Sequence, residues 1–269
     1  MLELLHFPFM QRAFLAGIMV AFLASYYGVF VVQRGLGFLG NGLAHAAFGG
    51  VALALLLHRE PLWIAVPFTM CIAFAITWVK HRTTLASDTV IGIFFAVSMA
   101  AGIIFLSLKK DYTVDAFSYL FGSILAITAT DVYVTLAVVL IALLVQPLWK
   151  RWAYATFDRD LALTDHVPVI FDEYLLSVLL AVTIVVAVKV VGIVLVSAFL
   201  VIPAAAARIV VDRFINMTWL SIIFGVCSTM TGLWGSYWLD IPSGATIVMV
   251  QAAIFFCCMS LNMLLRHRG

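Results

Sequence analysis

Nine long apolar runs separated by short polar joints leave this chain one route to a fold, a bundle of helices that crosses a membrane. The runs lie at 13–33, 42–57, 61–79, 88–108, 131–149, 174–191, 193–207, 217–238 and 244–264. A hydrocarbon core about 30 Å thick takes roughly 20 helical residues to cross. Lipid offers backbone groups no hydrogen bonds, so each crossing must satisfy its own as a helix. Soluble domains are about half apolar and about a quarter charged; here 65% of residues are hydrophobic, 10% are charged and mean hydropathy is +1.16. The expectation is an all-α, polytopic bundle in the lipid bilayer, one transmembrane domain over 1–269. No length remains for a soluble catalytic unit.

The run 193–207 follows Gly192 so closely that 174–207 is either one broken helix, giving eight crossings, or two helices, giving about nine. Basic residues separate the two. With nine crossings and the N-terminus outside, Arg34, Lys80, Arg82, Lys150, Arg151, Arg159, Arg208, Arg213, Arg266 and Arg268 share one side, against Arg12, Arg59, Lys109 and Lys110 on the other. Such a bias is what the positive-inside rule requires. Merging 174–207 into one crossing erases it. Nine crossings are therefore expected, with the longest hydrophilic loop, about 150–172, in the cytoplasm. The stretch 116–127 is too short to span and reads equally as a re-entrant helix or an amphipathic connector. The N-terminus lacks a basic region and a cleavage site, so the first run reads as a retained span.

Net charge is +2, with no basic stripe, and nucleic acid is excluded as a partner. Cys71, Cys227, Cys257 and Cys258 all fall in apolar runs without metal-ligand spacing, and read as packing or lipid-facing residues. No P-loop, HExxH or GxSxG occurs, and no paired intramembrane acids, so no enzyme is expected.

Polar groups at membrane depth are costly and each is a candidate site. In Gly40-Asn41-Gly42-Leu43-Ala44-His45, a helix beginning near Gly42 would place Asn41 at its N-cap and His45 one turn on, along the same face. Imidazole and amide oxygen together would make a weak, transient site for a borderline metal such as zinc; capping and a carbonyl bond are the plainer roles. Asp88 opens the fourth run, where the helix dipole alone favours an acid. Lys189 reads as a residue that snorkels to the outer interface. Pro203, within Val201 to Arg208, frees a carbonyl in a stretch of small residues suited to close packing. In the cytoplasmic loop, Asp158, Arg159, Asp160, Leu161, Ala162 and Asp165 fall in a short amphipathic helix with acids in its first turn, either a docking element or a solvated connector.

Several segments, in order, resemble the bacterial zinc/manganese ABC permeases, the membrane subunits of family-3 metal importers. They are Phe30-Val31-Val32-Gln33-Arg34 with Gly40 to Ala46, Asp88 to Ile93, Tyr119 to Ala126, Asp158 to Asp165, and Ile202 to Arg208, spread over about residues 12–260. The resemblance implies a permease subunit in the bacterial inner membrane, paired with a second copy of itself as a homodimer. Two copies of a cytoplasmic ABC ATPase and an extracytoplasmic metal-binding protein complete the importer. It implies that Asp158–Asp165 is the coupling helix set in a cleft of the ATPase, and that Asn41 and His45 contact the passing ion; Asp88 and Pro203, on their own chemistry, are the further candidates along the path. The family's second span usually reads Gly-Asp-x-x-x-His; Asn41 replaces the acid and removes a charge. The expected cargo is Zn2+, with Mn2+ or Fe2+ as alternatives and no tightly bound cofactor. A secondary transporter driven by an ion gradient is the rival class; it predicts inverted repeats and broken helices facing one another at mid-membrane, neither of which the sequence displays.

Overall fold

The structure, a computed structural model, describes residues 8–109, 120, 122 and 127–266. Eleven helices follow in chain order among these residues: α1 (Pro8–Gln33), α2 (Gly37–Leu56), α3 (Pro61–Arg82), α4 (Ser87–Leu108), α5 (Ala129–Val145), α6 (Trp149–Phe157), α7 (Arg159–Thr164), α8 (Val169–Val191), α9 (Val196–Val210), α10 (Phe214–Leu239) and α11 (Ser243–Arg266). A 3-10 turn at Gln146–Leu148 joins α5 to α6. Eight of the apolar segments are long enough to cross a membrane, and α9 is a shorter apolar helix.

The nine expected crossings correspond to these nine helices, and contacts at their ends fix the alternation. At one end, Arg34 after α1 reaches Thr156 of α6, His81 of α3 meets Glu173 of α8, and Arg208 of α9 reaches the Val32 carbonyl of α1. At the other, Lys189 of α8 meets Asp131 of α5. The stretch 174–207 is therefore two helices, because the end of α9 comes back to the end where α8 starts. Gly192, at φ +91°, makes the break. The basic residues gather at the α6–α7 end, the end that the positive-inside rule assigns to the cytoplasm.

At about 22 Å, α9 is shorter than the hydrocarbon core. Its first turn packs beside α2: a methyl added at Gly40 would stand 3.5 Å from the Cα of Ser197. Close packing of this kind needs small residues, since lipid supplies no hydrophobic drive between helices. Gly28 of α1 lies so near the Leu200 carbonyl that any side chain there would overlap it, and Gly49 and Gly50 of α2 meet Phe68 and Ala65 of α3. The perimeter is apolar, with Trp63 and Trp238 exposed near the outer end and Trp78 and Trp219 nearer the cytoplasmic end, as interfacial aromatics are. Three cysteines are exposed, Cys258 is half-buried, and all four are free.

Three helices stop by the same device. After α1, Gly35 takes φ +67° while Leu36 N–H donates to Val31 O at 2.9 Å and Gly35 N–H to Val32 O at 3.3 Å, which is the Schellman arrangement. His58 after α2 and His166 after α7 occupy the same left-handed position with matching bonds. Two of the six histidines are thus turn residues. The expected start of the second span near Gly42 is corrected here: α2 begins at Gly37, so Asn41 lies one turn inside the helix and caps nothing. The Gly35 turn sends the chain straight back into helix, and glycines that read as a joint serve as packing surface. Most of the 116–127 segment lies outside the described residues; within it, Leu120 accepts a hydrogen bond from Val194 N–H, and Gly122 sits against Val190–Gly192.

Candidate functional site

Asn41 and His45 are four residues apart on α2 and therefore share a face. Both are half-buried. The His45 ring stands edge-on to Phe95 of α4, with centroids 4.5 Å apart, and its Nδ1 is buried with no hydrogen-bond partner. Asn41 makes no side-chain hydrogen bond among the described residues. A buried polar atom without a partner is costly and asks for an explanation. An ion in passage, held by an imidazole nitrogen and an amide oxygen, is one that suits this pair. Around them, Gly42 rests on Ile91 of α4 and Gly40 on Ser197 and Leu200 of α9. The first turns of α2 thus lie between α4 and the short helix α9.

Asp88 and Pro203 are not brought to this pair. Asp88 is exposed in the first turn of α4, seven residues before Phe95 and so about 10 Å away along the axis. Pro203 is buried within α9, three residues past Leu200 and six past Ser197, the residues that touch Gly40. Among the described residues, no group of three His, Cys, Asp or Glu side chains is placed to hold a metal ion. One chain therefore offers an ion the His45 nitrogen, the Asn41 oxygen and little else here, a donor set suited to brief contact.

The second cluster is at the cytoplasmic end. Asp158 caps α7, its Oδ1 accepting the Leu161 N–H at 2.9 Å. Ala162 is fully buried against Ala155 and Val169, Asp165 accepts from the Tyr154 hydroxyl at 2.6 Å, and Arg159 donates to Glu173 at 3.1 Å. Asp160 is exposed. The outward side carries exposed apolar groups: Phe157 at 60% exposure, Leu161 at 48% and Leu163 at 39%. Beneath this helix Asp172 is fully buried and bonds Arg151 at 2.5 Å. Burial pulls the Arg34 guanidinium below its ordinary pKa, while Glu173 and Asp172 push it back up.

Lys189 does not snorkel. Its Nζ lies 2.8 Å from Asp131 Oδ1 and 2.9 Å from Oδ2, both side chains largely covered. Asp131 also completes a capping box with Thr128, accepting its backbone N–H at 2.8 Å. Reading the sequence missed Asp131, although the Thr-x-x-Asp spacing at the head of an apolar run marked it. Glu173 was missed as well.

Comparison with known proteins adds three findings. The ABC 3 transport family profile matches residues 6–262. The manganese transport system membrane protein MntC of Halalkalibacterium halodurans is 35% identical over 94% of this chain and 87% of its own length. The manganese import system permease protein ScaB of Streptococcus gordonii is 34% identical over 93% of this chain and 90% of its own. Among solved structures, PsaBC from Streptococcus pneumoniae in complex with Fab superposes with a TM-score of 0.85 at 35% identity, covering 95% of this chain and 92% of that one. An inward-facing metal-chelate type ABC transporter, 14% identical with a TM-score of 0.76, shares the fold.

Proposed function

This chain belongs to the ABC 3 transport family, and from that premise we propose that its cargo is manganese. It is a multi-pass bacterial membrane permease rather than an enzyme, and ATP hydrolysis belongs to a partner chain. The observation that carries the choice of metal is that relatives matching more than nine-tenths of the chain are named for manganese. The zinc expected from the sequence gives way to Mn2+, which was its alternative. Asn41 does not oppose this, since an amide carbonyl is an oxygen donor of the kind manganese accepts. In this reading two copies of the chain form the passage, two ATPase subunits drive it through the 158–165 segment, and an extracytoplasmic binding protein delivers the ion. Asn41 and His45 touch the ion in transit and hold it weakly, because tight coordination would delay release. Asp88 and Pro203 serve at most as flanking groups of the path.

Uptake by the complete importer in proteoliposomes tests the metal. Manganese entry is expected to proceed in the presence of equimolar zinc; zinc entering faster than manganese would reverse the assignment. His45→Ala is expected to lower manganese uptake by about tenfold, the loss of one weak interaction of roughly 1.4 kcal/mol, with the complex still assembled. Wild-type uptake kinetics in that variant would remove His45 from the path.

A further inference from the structure

We propose that Glu173 is the positioning residue through which movement of α7 is passed to the helices that hold Asn41 and His45. The inference rests on the reading of 158–165 as the ATPase contact. Glu173 stands in the second turn of α8 and faces two ways. Its Oε1 accepts from Arg159 Nε of α7 at 3.1 Å, and its Oε2 lies 2.8 Å from His81 Nε2 in the last turn of α3. The His81 contact is a close approach without the alignment of a hydrogen bond. The carboxylate is largely covered, at 11% exposure, against 45% for Arg159. Burial lowers the local dielectric, so its pairings are stronger than those of an exposed ion pair.

The remaining polar contacts of 158–165 stay within the loop or return to α6, through Tyr154. Arg159–Glu173 is the one that reaches α8, and Glu173 extends it to α3. From there the path is continuous. The cytoplasmic half of α3 is laced to α8 by Thr77 donating to Ser177 at 3.0 Å and by the Phe74 and Tyr174 rings, 4.7 Å apart. Farther along, Phe68 and Ala65 of α3 press on Gly49 and Gly50 of α2, one turn beyond His45. Glycine at those contacts leaves no slack, so a shift of α3 must be shared by α2. A displacement of α7 would therefore move the metal-path helix through one carboxylate.

Spatial continuity alone does not establish coupling; the ratio of metal moved to ATP consumed does. In the full importer, reconstituted with its ATPase subunits and binding protein, Glu173→Gln is expected to cut manganese moved per ATP about tenfold, within the usual range of coupling free energies, while hydrolysis continues. A merely structural loss would lower uptake and hydrolysis together and leave the ratio intact. His81→Ala should produce the same fall, and the double variant should be no worse than either single one, since all three break one linkage. Arg159→Gln, at an exposed position where folding is not at stake, should reproduce it. An unchanged ratio in Glu173→Gln or Arg159→Gln, or additive losses in the double variant, would overturn the proposal. Leu161→Asp, measured alongside, keeps the two ideas apart. If it leaves uptake intact, the ATPase-contact reading has failed; if it stops uptake while Glu173→Gln keeps the ratio, only the role of Glu173 has failed.

Discussion

Leu161→Asp is expected to reduce metal uptake to background and to release the ATPase subunit during purification, while the thermal unfolding of the membrane bundle stays unchanged. The α7 helix has six residues, far too few to be stable alone. It exists because Asp158 caps it and because Ala162 is buried against Ala155 and Val169. Those contacts use its inner side. Leu161 and Leu163 are exposed, as are Phe157 and Phe171 at either end of the loop, leaving large apolar groups uncovered at this end of the bundle. A few well-packed, desolvated residues near the centre of an interface carry most of its binding energy. A carboxylate placed at such a contact and buried without a partner costs several kcal/mol, enough to abolish a moderate affinity. Asp158→Ala should be milder, removing a cap worth about 1 kcal/mol. Uptake at the wild-type rate in Leu161→Asp would show that the ATPase does not dock here.

Lys189→Met should destabilise the bundle by about 3 kcal/mol, because it leaves the Asp131 carboxylate covered and without its cation. The bond Thr128 donates keeps part of that charge satisfied, which holds the loss to the lower end of the range. Removing both charges, as in Lys189→Met with Asp131→Asn, is expected to recover most of the stability, since a neutral pair carries little desolvation penalty. Unfolding in mixed detergent and SDS measures both variants. A single variant as stable as the native protein, or a double variant less stable than the single, would mean that the pair does not act as a unit.

The spans were legible because run length and hydropathy are local properties. From 61–79 against Pro61–Arg82 to 244–264 against Ser243–Arg266, the runs differ from the helices by a few residues at the ends. Basic residues even separated α8 from α9, a distinction that turns on a single glycine. The start of α2 was harder. Gly40 fell in the joint before a helix expected to begin near Gly42, because glycine is a poor helix former in water, whereas between membrane helices it is a contact surface. Partnerships across helices were not legible at all. Lys189 and Asp131 are 58 positions apart, and nothing in either run says which helices are neighbours. Glu173 likewise acquires meaning only when Arg159 and His81 converge on it. The metal was the least legible. Asn41 and His45 together suit several divalent ions, and the choice came from the company the whole chain keeps.

The brevity of α9 bears on how the protein is made. Fifteen residues that begin beside Gly40 offer a translocon less apolar length than a free-standing segment needs. Its seat lies between α1, α10 and α11, and the last two are synthesised after it. The nascent chain must therefore hold this segment provisionally until its later neighbours emerge. A ribosome stalled just past Val210 would leave it without that seat.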